Sequence, residues 1–276
     1  MNDKINIDLG KVQKTLLIPL LGHALEFASP HPLVKDRYAY EIVQRLNYDF
    51  GPELKQMPMP IMINSAIRAH HLDCALRDLL GTYPDATIVN IGAGLDTTFH
   101  RVDNGRVFWY DLDLPDTIAL RRQLIPEGDR NRCIAKSVFD KSWFKDITER
   151  LSKVFFMATG VFIYLKNDDL RQLFLGLAAN FPGSDIMFDV YSKKFLWLRN
   201  HALENSREKS DLLMPMIWGV NSGKAIARWS VRITIVDEFS FYSRINLEEY
   251  WDKKYLSSLR LLKFFRAIKM LHCRFA

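Results

Sequence analysis

The spacing of apolar residues changes near residue 85. Before it, Tyr38, Ile42, Val43 and Leu46 fall at helical intervals, and Ile67, Leu72, Cys74, Leu76, Leu79 and Leu80 continue that pattern in a second stretch. Pro30, Pro32, Pro52, Pro58 and Pro60 punctuate this part, and Gly81 offers a stop. From Asp85 onward, short apolar runs alternate with amphipathic ones. "TIVNIGAG", "RVFWYDLDLP", "NRCIAKSV", "KVFFMATGVF" and "DIMFDVYS" read as five strands, and "RITIVDEFSF" and "AIKMLHCRF" as two more. Between them, "PDTIALRRQLI" opens with Pro115, where a missing amide does no harm, and "NDDLRQLFLGLAANFPG" opens with a capping Asn167 followed by acids. The alternation predicts an α/β fold, a doubly wound and mostly parallel sheet behind an N-terminal helical cap. The expected division is a cap over residues 1–85 and a core over 86–276.

Composition narrows this picture little. With 276 residues and 48% hydrophobic residues, the chain can bury a core of ordinary size without staples. Cys74, Cys133 and Cys273 are scattered and odd in number, which suits a reducing cytoplasm. No secretory leader is expected, because the early apolar run is interrupted by Pro19 and His23. No run of 18 apolar residues predicts a membrane span. The net charge of +6 gathers at the end, where Arg260, Lys263 and Arg266 lie opposite Leu256, Leu259, Leu262 and Phe265. Such a helix can meet nucleic acid, membrane or an acidic partner, but its ordinary use is a solvated face over a buried one.

The chemistry is expected where the first strands end, because doubly wound sheets bind ligands beyond their carboxyl edge. Gly92 and Gly94 in "IGAGLDTTFH" give a loop along which a ligand can approach the backbone. Thr97 stands where a dinucleotide fingerprint needs its third glycine, so the loop suits a nucleoside without phosphates better than a dinucleotide. The same loop also serves as an ordinary strand-to-helix turn. The second strand ends in Asp111 and Asp113, two apart and so on one face, where an acid can take both ribose hydroxyls.

These residues resemble the leucine carboxyl methyltransferase family, which includes protein phosphatase methyltransferases and polyketide O-methyltransferases. "IVNIGAGLDTTFHRV" followed by "WYDLDLP" carries the resemblance, with "TLLIPLLGHALE", "IRAHHLD", "VFIYL" and "HCRF" in support. It implies a seven-stranded Rossmann-like sheet, S-adenosylmethionine as cofactor and S-adenosylhomocysteine as product. It implies that Arg68 pairs with the cofactor carboxylate, that Gly92, Gly94 and Asp96 form its loop, and that Asp113 with Asp111 takes the ribose. Phe139 and Asp140 are placed at the adenine, although Asp140 also reads as a helix cap. Thr159 stands where the family carries a Glu near the cofactor's amino group. Loss of a charge-assisted contact costs about 1.5–3 kcal/mol, so a compensating carboxylate, weak binding or lost catalysis is implied. His23 stands where an Arg or Lys is common.

The expected reaction is methyl transfer to a carboxylate or hydroxyl of a small molecule. A carboxylate needs no base, whereas a phenol is helped by one. Candidates are His23, His70, His71, His100 and His201, with Tyr164 orienting the acceptor. Residues 191–224, rich in Met and aromatics, read either as part of the acceptor roof or as a plain helical insertion in the sheet's cover, and Lys193, Lys194 and Arg199 either as steering an anion or as solvated. No metal is expected, and the strand ending "ATGVFIYL" lacks the motif of nucleic-acid methyltransferases, so nucleic acid is not the expected partner. The alternative is a non-catalytic protein of this fold whose weakened cofactor site serves regulation or partner binding.

Overall fold

The computed structural model describes residues 4–6, 16–51, 59–148, 152–205 and 214–276. Residues 206–213, part of the segment read as acceptor roof or helical insertion, lie outside them. The amino-terminal part supplies helices α1 (Leu17–Phe27), α2 (Arg37–Arg45) and α3 (Met59–Thr82), with β1 (Ile5–Asn6) and β2 (Leu46–Asn47) forming a small parallel pair. Asp36 starts α2 by accepting the Ala39 amide at 3.0 Å.

The core alternates β3 (Thr87–Ile91), α4 (Thr98–Val102), β4 (Phe108–Asp113), α5 (Pro115–Leu124), β5 (Asn131–Ala135), β6 (Val154–Ala158), α6 (Asn167–Asn180), β7 (Asp185–Tyr191) and α7 (Lys193–Glu204). It continues through α8 (Lys224–Ala227), β8 (Ile233–Ser240), α9 (Leu247–Tyr250), α10 (Lys253–Phe264) and β9 (Ile268–Phe275). Seven strands make one sheet in the order β5-β4-β3-β6-β7-β9-β8. All pairings are parallel except those of β9, which runs antiparallel to both neighbours. The expected doubly wound, mostly parallel sheet is therefore present.

Alternation along the strands divides the core. Ile88, Trp109, Phe155 and Met157 face Leu72, Leu76 and Leu80 of α3. Val89, Tyr110, Leu112 and Phe156 face the other way, toward Leu170, Phe174 and Leu177 of α6. So α3, from the amino-terminal part, is one of the layers that covers the sheet. Helices α1 and α2 form a separate cluster with Leu120 and Leu124 of α5, and Arg45 ties α2 to α5 by donating to the carbonyls of Gln123 and Leu124 at 3.0 Å.

Pro115 opens α5 as expected. Asn167 is the first residue of α6 rather than its cap, and its side-chain oxygen accepts from the Trp218 indole at 3.3 Å. At the carboxyl end, Leu256 and Leu259 of α10 are buried while Arg260 is exposed and paired with Glu248. The basic stretch is thus the solvated face of a packed helix. No helix among the described residues is long and apolar enough to cross a membrane.

Candidate cofactor and acceptor site

From β3 the chain steps outward to β4 and β5, then crosses back to β6 on the other side of β3. The two directions part at the carboxyl ends of β3 and β6, and a cavity of about 430 Å³ opens there. Its floor is the loops 91–96, 112–114, 136–139 and 159–165, and its roof comes from α1, α3 and α7.

The loop after β3 is shaped by its glycines. Gly92 has φ +67°, and a Cβ there would stand 2.3 Å from a methyl of Val161. What the missing Cβ admits is thus the turn after β6. The Gly94 amide donates to Asp113 Oδ2 at 2.7 Å, and the Leu114 amide donates to Asp113 Oδ1 at 2.7 Å. A carboxylate has about four acceptor positions, so both oxygens keep capacity toward the cavity that Asp113 lines. Burial pushes the Asp113 carboxyl up, against the two amides that favour its charge.

The expectation that Asp111 shares the ribose with Asp113 is corrected. Asp111 is completely buried, and Arg121 donates to its Oδ2 at 2.7 Å. Asn90 and the Trp109 indole donate to Oδ1 at 3.1 and 2.9 Å. The other Arg121 amino group holds the carbonyls of Gly94 and Asp96 at 3.0 and 2.8 Å. Asp111 therefore fastens the loop from beneath. Asp96 lines the cavity, but its carboxylate caps α4 by accepting the Thr98 amide and hydroxyl at 2.9 Å each.

Phe139 lines the cavity and is partly exposed. Asp140 does not line it; the carboxylate caps the 141–145 turn by accepting the Ser142 amide at 3.0 Å. The structure thus shows the cap that the sequence also allowed, and does not place Asp140 in the cavity wall where the adenine was expected. Lys136, Ser137 and Val138, which the sequence reading passed over, line this edge instead. Their signal was position alone, directly after β5.

The opposite end belongs to Arg68, Thr159 and Gly160. Arg68 Nη2 lies 3.3 Å from Asp189 Oδ2 in a buried pair. Burial opposes the Arg68 charge, but Asp189, Tyr191 and Tyr164 outweigh it and raise the guanidinium pKa. Asp189 was not singled out from the sequence, where it sits in the middle of an apolar strand.

His23 lines the cavity, yet both ring nitrogens are engaged, with Asp36 Oδ2 at 2.9 Å and the Ser65 carbonyl at 3.2 Å. Asp36 also accepts from Arg101 at 2.6 Å and Thr97 at 2.5 Å. His23 is a strut of this buried network and has no nitrogen free for a substrate proton. His71 is likewise engaged with the Phe241 carbonyl at 2.7 Å. His70, His100 and His201 do not line the cavity. Tyr164 does, with its hydroxyl pKa raised by burial. Arg199 lines it too, held by the Met214 carbonyl at 3.0 Å, and no carboxylate of the described residues pairs with it.

A switch-point cavity with a carboxylate at the end of its second strand and a buried arginine at the far end is the site of a nucleoside-binding α/β enzyme. Comparison with known proteins narrows the class. Residues 17–178 match leucine carboxyl methyltransferase. The chain is 33% identical over 185 residues to the tetracenomycin polyketide synthesis O-methyltransferase TcmP of Streptomyces glaucescens, a match that covers 67% of each chain. It is 30% identical over 219 residues to the S-adenosyl-L-methionine-dependent methyltransferase dpfgK of Gibberella zeae, over 72% of each. Its fold is similar to that of magnesium protoporphyrin IX methyltransferase of Synechocystis, solved with bound SAH (TM-score 0.51, 9% identity, 87% and 96% of the two chains). The chain belongs to the leucine carboxyl methyltransferase family. It is a methyltransferase that depends on S-adenosylmethionine and has a Rossmann-like fold.

The residues present fit that cofactor. Asp113 offers spare acceptor positions to a diol, and at the other end Arg68 Nε and Asp189 Oδ2 are buried with no hydrogen-bond partner in the protein.

Proposed function

We propose that this protein transfers the methyl group of S-adenosylmethionine to an oxygen, carboxylate or hydroxyl, of a small and largely apolar acceptor. The observation that carries the reading is the wall of the cavity. There Ile61, Leu72, Ile163 and Phe195 leave apolar walls, with Tyr164 and Arg199 as polar groups among them. Such a pocket takes an apolar body and fixes one polar end. The name of TcmP, an O-methyltransferase of polyketide synthesis, agrees with this reading.

When bound, the cofactor supplies a methyl group on a positively charged sulfur, which is already a good leaving group. The protein has to bind, align and exclude water. In this reading Asp113 holds the ribose hydroxyls, Phe139 and Val138 flank the adenine, and Arg68 takes the carboxylate. Helices α1 and α3 close the roof, with the described residues of 1–85 acting as the cap of a catalytic core over 86–276 and α3 also covering that core's sheet. Arg199 orients the acceptor oxygen and favours its ionised form, and Tyr164 donates to it. A neutral phenol with a raised pKa is a donor rather than a base, and among the described residues the one histidine lining the cavity, His23, has both ring nitrogens engaged. The site therefore suits an acceptor that ionises unaided, as a carboxylic acid or an acidic phenol does.

The test is transfer of labelled methyl to a panel of aromatic carboxylic acids, phenols and their neutral esters and ethers. Acids and acidic phenols should be labelled. In Arg199→Met, KM for the acceptor should rise about tenfold or more, the loss of one charge-assisted contact. Labelling of amines or thiols in place of the acids and phenols would overturn the reading.

A further inference from the structure

Thr159 follows β6 without bringing a charge, and a substitute lies one strand away. Ala158 of β6 is in register with Phe188 of β7, so Asp189 stands beside Thr159. Asp189 is buried, and its Oδ1 accepts the Gly160 amide at 2.7 Å, one residue beyond Thr159. Its Oδ2 faces Arg68 Nη2 at 3.3 Å. Three elements therefore meet at one carboxylate: the turn after β6, the end of β7, and α3.

Gly160 permits the meeting. Its φ is +67°, and a Cβ there would come within 2.7 Å of Arg68 Nη1. The pair is close enough for Coulomb attraction, but Asp189 Oδ2 and Arg68 Nε each lack a hydrogen-bond partner within the protein. Buried polar atoms without partners are rare in native proteins and call for an explanation. Here one is an acceptor and the other a donor; Arg68 and Gly160, the two groups that Asp189 holds, line one end of the cofactor cavity, and Asp189 is buried directly behind them. A zwitterion, with a carboxylate for the donor and an ammonium for the acceptor's charge, is the ligand group that matches them.

We propose that Asp189 is the positioning residue for the amino-acid end of the cofactor. It holds Arg68 and the Gly160 peptide in place and supplies, from β7, the negative charge that Thr159 does not bring. The inference rests on the placement of S-adenosylmethionine under Proposed function. In the water-poor end of the cavity such a charge favours an ammonium more than it would in solvent. Its signature is discrimination: ligands with an α-amino group are preferred over ligands without one.

The experiment titrates the full chain by calorimetry with S-adenosylhomocysteine and with its analogue carrying hydrogen in place of the α-amino group. The native protein is expected to prefer the amino form by about tenfold or more, the usual worth of a charge-assisted contact. In Asp189→Asn the preference should fall below about threefold, with a lowered melting temperature because Arg68 is left without its buried partner. In Asp189→Asn/Thr159→Glu it should return, because the charge is restored from β6. Thr159→Glu alone leaves Asp189 untouched, so it tests the idea even if the Asn variant fails to fold. It should raise the preference less than about twofold, since the charge is already present and a second carboxylate repels the first.

An Asp189→Asn protein with native discrimination, or one that weakens both ligands equally, overturns the proposal. So does a tenfold gain from Thr159→Glu alone. Failure of the native protein to bind S-adenosylhomocysteine would overturn the reading of the site itself, and is told apart because no variant is needed to see it.

Discussion

The two ends of the cavity are built differently. At the end proposed for the ribose, two acids two residues apart divide the work. Asp113 faces the cavity and accepts the two loop amides, while Asp111 sits beneath and takes Arg121, Asn90 and Trp109. Every hydrogen bond there stays within β3, β4, α5 and the loops between them. At the amino-acid end, one acid serves three elements that lie far apart in the chain, since Asp189 joins α3 through Arg68 and the β6 turn through Gly160. The first end is local in sequence and closed by hydrogen bonds. The second is assembled by tertiary packing and leaves a donor and an acceptor open. Local construction makes a site legible in a motif, whereas assembly across the fold lets its charge move between strands.

Breaking the ribose end from beneath should have the largest effect. Arg121→Met leaves Asp111 buried without its cation, and loss of one partner of a buried pair costs about 3–5 kcal/mol. Chemical denaturation should show that loss, and Asp111→Asn/Arg121→Met should recover part of it. A smaller loss is expected from acid, through α3. Burial holds the His71 imidazole down at about 4, and its Nε2 engages the Phe241 carbonyl at 2.7 Å. The unfolded chain, with an ordinary histidine near 6.5, binds more protons between pH 6.5 and pH 4. This contribution to stability is therefore fully present above pH 6.5 and is lost as pH falls toward 4, by up to about 3 kcal/mol. Thermal melts across that range should show the slope, and it should flatten in His71→Gln.

Gly160→Ala attacks the amino-acid end directly. The added Cβ meets Arg68 and the backbone is left with a positive φ, which costs an alanine about 1–2 kcal/mol. Cofactor affinity should fall about tenfold, read by calorimetry, while the ribose end stays intact. The smallest effect belongs to Asp140→Asn. Its carboxylate caps an exposed turn outside the cavity, so affinity should change less than about twofold. A tenfold loss there would return Asp140 to the adenine.

The sequence announced the ribose end because its parts are contiguous. The apolar run of β3, the two glycines and the acid ending β4 all lie within 27 residues, 87–113. The spacing of Asp111 and Asp113 correctly placed both acids on β4, but it could not tell which one a distant arginine would claim. Arg121 reads in sequence as one of a basic pair on an amphipathic helix, and only the packing of α5 under the loop shows it fully buried. His23 misled in the same way, since Asp36 and the Ser65 carbonyl reach it from other elements. Asp189 was hidden by its surroundings: the second of the two acids in "DIMFDVYS" gives no sign that it stands beside Thr159. The fold was the more legible because periodicity is local, and the seven strands were all visible as short apolar runs.

The central claim is that this cavity binds the cofactor with Asp113 on the ribose while Asp111 belongs to the framework. Calorimetric titration of S-adenosylhomocysteine into the native protein and into Asp113→Asn tests it most directly. The account predicts saturable binding to the native protein and a loss of about tenfold or more in the variant. Equal affinity in the two proteins would contradict it.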